Sequence, residues 1–461
     1  MKTVPEIPPE FLSRMSSLLG GEFPGFDRAL RESPRAALRA NTLKVSPRAL
    51  VELLGLQLDP VPWSPEGFLV PPGIKMGAHA YHTAGLFYLQ DPTAMAVAVI
   101  LDPQPGERVL DLAAAPGGKA THICARMENR GLLVANEIQS QRASALAGNL
   151  ERWGACNAII TNETPERLAD HFGPYFDRVL VDAPCSGEGL FRKNPSARLE
   201  WSEAGVQQCA LRQGRLLDQA VRLVRPGGSL VYSTCTFAPE ENEGAVARLL
   251  EEHPEFNLEE PPQLPGFSRG REDWLPPGRS NPLIRQTIRI WPQHAPGEGH
   301  FIALLRRDRG PLDSRLKPAR RPDPGLAQRE FGRFQSEYLM GGIDPAFAYQ
   351  RGSNLYLPPE WDPDLDGLRV VHPGWHVGWM PGERFEPSHW LATALRMEDA
   401  RLQVNFDPED PGLITFLRGG SQGNSGEAGW VLVGVGGYPV GWGKRTAGQL
   451  KSKVPRGLRL R

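Results

Sequence analysis

Cysteine and long apolar runs are both scarce in this chain. The 461 residues include five cysteines, an odd number with no Cys-x-x-Cys pair, which argues against a disulfide framework and predicts no metal site. No stretch approaches about 18 consecutive apolar residues, the length that a membrane-spanning helix needs. Residues 1–9 also lack the apolar core of a signal peptide, so we expect a cytoplasmic protein that contacts no membrane.

Net charge is almost absent as well, at −1, which excludes a uniformly basic nucleic-acid-binding surface. Basic residues are concentrated instead in residues 441–461, where no acidic residue occurs. These basic residues are Lys444, Arg445, Lys451, Lys453, Arg456, Arg459 and Arg461. A second basic cluster, at 306–321, is diluted by Asp308 and Asp313. Either cluster can pair with phosphates, and a solvated polar linker explains the second one equally well.

Short apolar runs and helical patterns alternate through the middle of the chain. The strand candidates are residues 108–112, 131–136, 157–161, 178–181, 229–232 and 300–305. Helical patterns at 92–101, 139–153 and 204–224 lie before and between these strands. This alternation predicts an α/β fold with a doubly wound parallel sheet.

Composition divides the chain into segments. Residues 1–90 combine a helical pattern with short strands and Pro/Gly turns, which predicts a small α+β domain, and the α/β domain spans 91–308. The Pro/Arg-rich residues 309–325 are typical of a linker. Residues 326–380 predict a second small α+β domain, with a helix at 328–340 and strands at 355–357 and 368–371. In residues 381–461, β runs at 429–435 and 438–442 predict a hairpin of a small barrel.

A glycine-containing turn follows the first strand of the α/β domain. It consists of Asp111, Leu112, Ala113, Ala114, Ala115, Pro116, Gly117, Gly118 and Lys119. Paired glycines let the backbone approach a ligand, and a helix N-terminus is electropositive. Glu137 follows the second strand, where an acid accepts hydrogen bonds from ribose hydroxyls. The turn matches neither a P-loop nor G-x-G-x-x-G, so we predict a nucleoside cofactor without a pyrophosphate, S-adenosylmethionine.

Two cysteines follow the next two buried strands. Cys185 stands in Asp-Ala-Pro-Cys-Ser-Gly, which starts at Asp182, and Cys235 stands in Ser-Thr-Cys-Thr-Phe. Because the carboxyl ends of strands in such a sheet face the ligand crevice, both thiols are expected there beside Asp182. Two thiols next to an aspartate suggest covalent chemistry on an electron-poor ring.

Together these motifs resemble the Nol1/Nop2/Sun family of RNA cytosine-5 methyltransferases. The matching segments occur in the family's order: residues 88–92, the glycine turn, Glu137, residues 182–187 and residues 233–236, with 39–44 similar to the N-terminal signature. This core likeness covers about residues 35 to 305. Residues 431–457 are similar to the PUA-like C-terminal module of RsmF-type bacterial members, which modify small-subunit rRNA.

The resemblance implies a Rossmann-like class I methyltransferase sheet and roles for particular residues. Cys235 would attack C6 of the cytosine, Cys185 would assist release, and Asp182 would contact both N3 and the cofactor. The cofactor would also meet the glycine turn from Ala113 to Lys119 and Glu137. The family's acid for the adenine amino group falls at Thr164 in this sequence, and Asn162 or Glu163 could replace it.

The resemblance also implies 16S rRNA, or the small ribosomal subunit, as the partner of a monomeric enzyme without a metal. The N-terminal domain and the PUA-like domain would hold the RNA, and we expect Lys444, Arg445, Lys451 and Lys453 to contact phosphates. The target base must be flipped out or unpaired. A burial-raised pKa would be required if Asp182 donates a proton to N3. Arg192 or Lys193, in the loop that follows Cys185, would be the cation that favours the Cys235 thiolate.

Three alternatives remain open. Transfer RNA is the second substrate class. An exocyclic amino-group methyltransferase would carry an Asn/Asp-Pro-Pro motif followed by an aromatic residue, whereas this chain has Ala183 and Cys185 at those places. A non-catalytic ribosome-assembly factor would be expected to lose the nucleophile or the cofactor acid, but Cys235 and Glu137 are both present.

Overall fold

The computed structural model describes residues 5–276, 279–311, 316–319 and 325–460. In the N-terminal unit an antiparallel sheet has the strand order β2-β3-β1-β4. The elements of this unit are α1 (Pro9–Leu19), α2 (Phe23–Arg31), β1 (Ala37–Ala40), α3 (Pro47–Leu54), β2 (Asp59–Val61), β3 (Ser64–Leu69), α4 (Ala80–Thr83) and β4 (Phe87–Leu89). Apolar residues of α1 and α2, such as Phe11 and Phe26, form a core with Phe191 and Phe237 of the central domain. The N-terminal helices therefore pack beside the loop that follows Cys235.

The central domain contains the expected doubly wound sheet. Its helices are α5 (Pro92–Leu101), α6 (Gly118–Arg126), α7 (Ser140–Trp153), α8 (Pro165–Phe172), α9 (Ala197–Glu200), α10 (Glu203–Leu223) and α11 (Glu243–Glu252). Its strands are β5 (Arg108–Asp111), β6 (Leu132–Asn136), β7 (Ala158–Thr161), β8 (Phe176–Asp182), β9 (Val224–Thr234), β10 (Phe256–Glu259), β11 (Phe267–Arg269), β12 (Ile288–Ile290) and β13 (His300–Arg307).

Strand order explains where a ligand can bind. Strand β5 pairs in parallel with β6 on one side and with β8 on the other, and β8 pairs in parallel with β9. The chain thus reverses its winding direction at β5, and the crevice of such a sheet opens outside the carboxyl ends of the strands at that point. Those ends carry the glycine turn, Asp182 and the segment leading to Cys235.

Helix α5 packs against the central sheet and begins at Pro92, as the sequence predicts. The Asp91 side chain accepts a hydrogen bond from the Thr93 backbone N–H, and Pro92 occupies the first turn, where its missing N–H costs nothing. The helix is apolar on nearly all faces because it is covered by the central sheet and by β3 of the N-terminal unit.

The first C-terminal unit corrects one strand prediction. Its elements are α12 (Leu326–Tyr338), β14 (Tyr349–Arg351), β15 (Asn354–Leu357), β16 (Val370–His372), β17 (Trp375–Trp379), β18 (Glu386–Pro387) and α13 (His389–Ala394). A strand was predicted at 368–371 as part of the small domain. The structure has β16 there, two residues later at its start, and β16 pairs antiparallel with β7 of the central sheet. The edge of β7 would otherwise present unpaired backbone groups, and β16 covers it.

The PUA-like unit contains the predicted hairpin, formed by β21 and β22. Its elements are β19 (Gln403–Phe406), α14 (Pro411–Leu417), β20 (Ser421–Gly423), β21 (Gly429–Val435), β22 (Tyr438–Thr446) and β23 (Gln449–Ser452). Its apolar residues, among them Phe416 and Val435, belong to the same buried cluster as Leu38 and Phe87 of the N-terminal unit. Among the described residues, no helix combines the length and apolar character that a membrane span requires.

Candidate active site

A cleft of about 310 Å³ lies at the carboxyl ends of β5, β8 and β9. It brings together most of the residues that the sequence singled out. The lining residues are Tyr88, Leu89, Gln90, Asp91, Ala94, Asp111, Ala113, Ala114, Ala115, Pro116, Gly118, Lys119, Asp182, Ala183, Leu190, Lys193, Cys235, Glu298, Gly299 and His300. The Cys235 thiol is therefore in the same cleft as the glycine turn.

The glycine turn is held in place from α7. Gly117 has φ +115°, and a Cβ there would lie 3.3 Å from the side chains of Leu146 and Asn149, so this position requires glycine. The Asn149 side-chain amide donates to the Pro116 carbonyl (2.7 Å), and the Arg142 guanidinium donates to the Ala115 carbonyl (2.7 Å). These contacts leave the N-terminus of α6 pointing into the cleft with a fixed backbone.

The two thiols are in direct contact. Their Sγ atoms are 3.3 Å apart, and the Gly189 backbone N–H donates to the Cys235 carbonyl (2.9 Å). The hydrogen bond with Cys235, followed by burial, raises the pKa of the Cys185 thiol well above its usual range. This raised pKa keeps Cys185 protonated, so its S–H is available to the Cys235 sulfur.

Asp182 is held as an ionised carboxylate. Lys119 Nζ donates to one of its oxygens (2.8 Å) and Ser233 Oγ donates to the other (2.9 Å). Burial would raise the pKa of Asp182, but Lys119 and His300 outweigh burial, and the pKa is lowered. The raised pKa that proton donation from Asp182 to N3 would need is therefore not found.

The Lys119 ammonium interacts electrostatically with the Cys235 thiol. Burial would lower the pKa of Lys119, but the Asp182 carboxylate and then Cys235 raise it, so the ammonium stays charged. The sequence had offered Arg192 and Lys193 for this role. Arg192 is buried in an ion pair with Glu298 (3.0 Å), whereas Lys193 does line the cleft. The sequence assigned Lys119 only to the cofactor turn, because its interaction with Cys235 depends on the fold, which brings α6 beside the strand that ends near Cys235.

Asp111 is a further site residue that the sequence argument passed over. Both carboxylate oxygens are buried, no side chain hydrogen-bonds to them, and Asp111 lines the cleft at the end of β5. Burial, followed by the nearby Asp182 carboxylate, raises the pKa of Asp111 to about 7. A buried, unpaired carboxylate of this kind fits a positively charged ligand group. Its position at the start of the glycine turn was the available signal.

Glu137 lies outside the lining of this cleft. Its carboxylate is buried, accepts a hydrogen bond from the Gln139 backbone N–H (2.9 Å) and forms an ion pair with Arg142 (3.3 Å). Glu137 directly follows β6. It lies next to the glycine turn, since the Ala114 backbone N–H donates to the Asn136 carbonyl (2.8 Å).

The three candidates for an adenine contact are all engaged within the protein. The Thr164 hydroxyl accepts from the Arg167 backbone N–H and caps α8. The Asn162 amide donates to the carbonyls of Glu137 and Ile138. Glu163 is buried and bound by the Arg369 backbone and guanidinium. The first C-terminal unit thus reaches the carboxyl end of β7 through Arg369.

The basic residues predicted to bind RNA divide into two groups. Lys444, Lys451 and Lys453 are exposed, and the Lys444 and Lys453 ammonium groups lie 5.2 and 5.5 Å from the centre of the Trp430 ring. Arg445 is only 6% exposed, and its guanidinium donates to the Asn424 side chain and to the Glu427 carbonyl. Its burial counts against a direct phosphate contact.

The doubly wound sheet, the glycine turn and the buried Asp111 are the features expected of an S-adenosylmethionine-dependent methyltransferase. Comparison with known families identifies the particular group. The family described as "16S rRNA methyltransferase RsmB/F" matches residues 98–306, and three RsmF domain families match the rest: its N-terminal domain (7–92), its first C-terminal domain (333–395) and its PUA domain (403–460). The chain belongs to the RsmF group of this family, and the resemblance to Nol1/Nop2/Sun methyltransferases is confirmed.

Known relatives agree with this assignment. A protein of Enterobacter sp. (strain 638) named "Ribosomal RNA small subunit methyltransferase F" is 33% identical, covering 98% of this chain and 95% of its own. Its namesake in Escherichia coli K12 is 31% identical, with coverage of 98% and 96%. A solved methyltransferase homologue from Pyrococcus horikoshii is 30% identical, with a TM-score of 0.57, covering 65% of this chain and 100% of that one.

Proposed function

We propose that this protein methylates C5 of a cytosine in small-subunit (16S) rRNA, through a transient bond between Cys235 and C6 of the base. The observation that carries the proposal is the Cys235 thiol, which lines the cofactor cleft and contacts a second, protonated thiol at 3.3 Å. The substrate class follows from the relatives, which are named as small-subunit rRNA methyltransferases.

The first step uses the Cys235 thiolate. C5 of cytosine is a weak nucleophile, but a sulfur–carbon bond at C6 moves the C5=C6 electron pair toward C5 and makes that carbon reactive. Lys119 supports this step because its ammonium favours negative charge on the sulfur. S-adenosylmethionine supplies the electrophilic methyl group when it is bound.

Asp182 and Lys119 would then meet the polar edge of the base. The addition of sulfur pushes electron density toward N3, where a hydrogen-bond donor stabilises it. Asp182 is ionised beside Lys119 in this structure, so it acts as a donor at N3 only after binding of the base has raised its pKa. The alternative donor within reach of Asp182 is the Lys119 ammonium itself.

The second step reverses the addition. The C5–H bond breaks with transfer of its proton to water, its electron pair re-forms the C5=C6 double bond, and the sulfur–C6 bond breaks with return of its electron pair to Cys235. Cys185 assists this release because it is the polar group in contact with the departing sulfur, and its S–H stabilises the thiolate as it forms.

The cleft offers contacts for each part of the cofactor. The Asp111 carboxylate would hold the α-ammonium group, the backbone from Ala113 to Gly118 would lie against the nucleoside, and Glu137 would reach the ribose hydroxyls after exchange of its present partners. Lys119 and Asp182 would complete the wall of the cofactor site. Thr164 stays a prediction for the adenine side.

Cofactor affinity is expected to fall as the pH drops below about 7, because Asp111 must then lose a proton before it can bind an ammonium group. Each pH unit below this value should weaken binding by up to about tenfold. Asp111→Asn should bind S-adenosylmethionine about 10- to 100-fold more weakly at pH 8 and should show a flat profile from pH 5 to 7. Isothermal titration calorimetry measures both effects, and an unchanged pH slope in the variant would contradict this role.

The proposed function is tested by identifying the product. Purified enzyme is incubated with methyl-labelled S-adenosylmethionine and one RNA substrate at a time: 16S rRNA, assembled small subunits or transfer RNA. The RNA is then digested to nucleosides. We expect label in 5-methylcytidine from one of the small-subunit substrates. Label in an exocyclic amino group, or in no RNA, would refute the proposal, and label only in transfer RNA would move the enzyme to the other substrate class.

The PUA-like domain should contribute to RNA affinity through its exposed lysines. We expect Lys444→Glu, Lys451→Glu and Lys453→Glu together to weaken RNA binding at least about tenfold and to reduce the slope of log affinity against log salt. Adding Arg445→Glu to them should mainly destabilise the fold, because that guanidinium is buried. Filter binding over a salt series gives the slope, and an unchanged affinity and slope for the triple variant would rule the lysines out.

A further inference from the structure

A buried arginine of the N-terminal unit reaches into the cofactor turn. Arg39 lies in β1 and is 0% exposed. Its Nε donates to the Gln90 side-chain oxygen (2.9 Å), and its Nη2 donates to the Gly118 carbonyl (3.1 Å) and to the Thr121 hydroxyl (2.8 Å). Gly118 and Gln90 both line the cofactor cleft.

The guanidinium is packed against an aromatic ring and lacks a hydrogen-bonded carboxylate. Its centre lies 4.6 Å from the centre of the Trp153 ring, and Nη1 has no hydrogen-bond partner. Burial of a charge without a directly paired anion is costly, so packing alone does not account for an arginine here. The charge that most stabilises the Arg39 guanidinium is the Glu66 carboxylate, which is itself bound to His122 of α6.

The polar contacts of Arg39 and Glu66 converge on one helix. Thr121 and His122 belong to the first half of α6, and Gly118 is its first residue. The N-terminal unit therefore contacts the helix whose N-terminus forms the cofactor turn, and α7 holds the turn itself through Arg142 and Asn149. Between these two supports the turn has little freedom, which is the condition for an electropositive backbone site to bind tightly.

We propose that Arg39 is a positioning residue for S-adenosylmethionine, acting through the Gly118 carbonyl and the Gln90 side chain. The N-terminal unit then completes the cofactor site in addition to any contact it makes with RNA. Arg39 does not touch the reacting atoms, so its loss should change cofactor affinity and leave the chemistry of bound substrate intact. The inference depends on the cofactor and not on which base is methylated.

The test compares Arg39→Met with Asn41→Ala. Asn41 is a matched control because it lies in the same strand region, is also 0% exposed, and also joins the N-terminal unit to the central domain. Its side-chain amide donates to the Gly85 and Trp153 carbonyls (2.8 Å each), away from the cofactor turn. Both variants should lower the thermal unfolding temperature of the cofactor-free protein.

Calorimetric binding of S-adenosylmethionine separates the two roles. We expect Arg39→Met to raise Kd by about tenfold or more, and Asn41→Ala to change it by less than about threefold at a similar loss of Tm. In steady state Arg39→Met should raise KM for the cofactor while kcat and KM for RNA stay near wild type. Equal effects of both variants on Kd, or no effect of Arg39→Met, would overturn the proposal.

Arg39→Lys keeps the test decisive if Arg39→Met does not fold. A lysine retains the charge but cannot reach Gln90 and Gly118 with one planar group, so only partial rescue is expected. Its Kd should lie between those of the wild type and Arg39→Met, or be about three- to tenfold above the wild type when measured alone. A wild-type Kd in a folded Arg39→Lys protein would show that charge, and not the bridging contact, is sufficient, and would overturn the proposal.

Discussion

Cys235→Ala is expected to lower methyl transfer to RNA by about 10³-fold or more while binding of S-adenosylmethionine persists. Without the sulfur–C6 bond, C5 keeps its aromatic character and cannot take the methyl group. Cys185 cannot take over as the nucleophile. Apart from its hydrogen bond with Cys235, burial and the nearby Glu241 carboxylate also raise the pKa of Cys185.

Transfer of labelled methyl groups to small-subunit RNA measures this effect. Cys209→Ala is the matched control, since this half-buried cysteine of α10 lies outside the cleft. The control should retain wild-type activity. Residual transfer by Cys235→Ala within about tenfold of wild type would mean that the reaction proceeds without the proposed covalent step.

Cys185→Ala is expected to trap a covalent protein–RNA complex. Addition of Cys235 to C6 and methylation need only the first thiol, whereas release loses the S–H group that contacts the departing sulfur at 3.3 Å. Loss of such assistance slows a step by about 10²- to 10⁴-fold. Most of the enzyme in a single-turnover reaction should then migrate with RNA on a denaturing gel, and multiple turnover should cease.

The double variant Cys185→Ala/Cys235→Ala gives the control for this experiment. It should form no complex that survives denaturation, because the bonding sulfur is absent. A complex that persists in the double variant would place the cross-link elsewhere, and the absence of any complex with Cys185→Ala alone would remove Cys185 from the release step.

Much of the architecture could be predicted because it depends on local patterns. Strands β5 to β9 and helices α5, α7 and α10 fall within a few residues of the predicted segments, since buried parallel strands read as short apolar runs between helical periods. The hairpin of β21 and β22 was also predicted from its glycine punctuation. Strand β16 was displaced from its predicted place because its partner, β7, is remote in sequence and no local signal reports that pairing.

The site was predicted in its residue types but only partly in its interactions. The motifs indicated Asp182, Cys185, Cys235 and the glycine turn, and the structure brings them to one cleft or into direct contact. The sequence did not predict the hydrogen-bond partners and protonation states of the site residues. The pKa of Asp182 depends on Lys119 across the cleft, and Arg445 is held by Asn424 and Glu427 of the loop before β21.

By itself the sequence determined the class of sheet, the place of the cofactor turn and the pair of thiols, because strand periodicity, glycine spacing and motif order are properties of neighbouring residues. Only the tertiary structure decided that Lys119 serves both Asp182 and Cys235, that Asp111 stays unpaired, and that Arg39 reaches the cofactor turn. Those facts come from burial and from distances between segments far apart in the chain. Burial and these distances set the charge of an ionisable group, and neither can be inferred from the residues next to that group in the sequence.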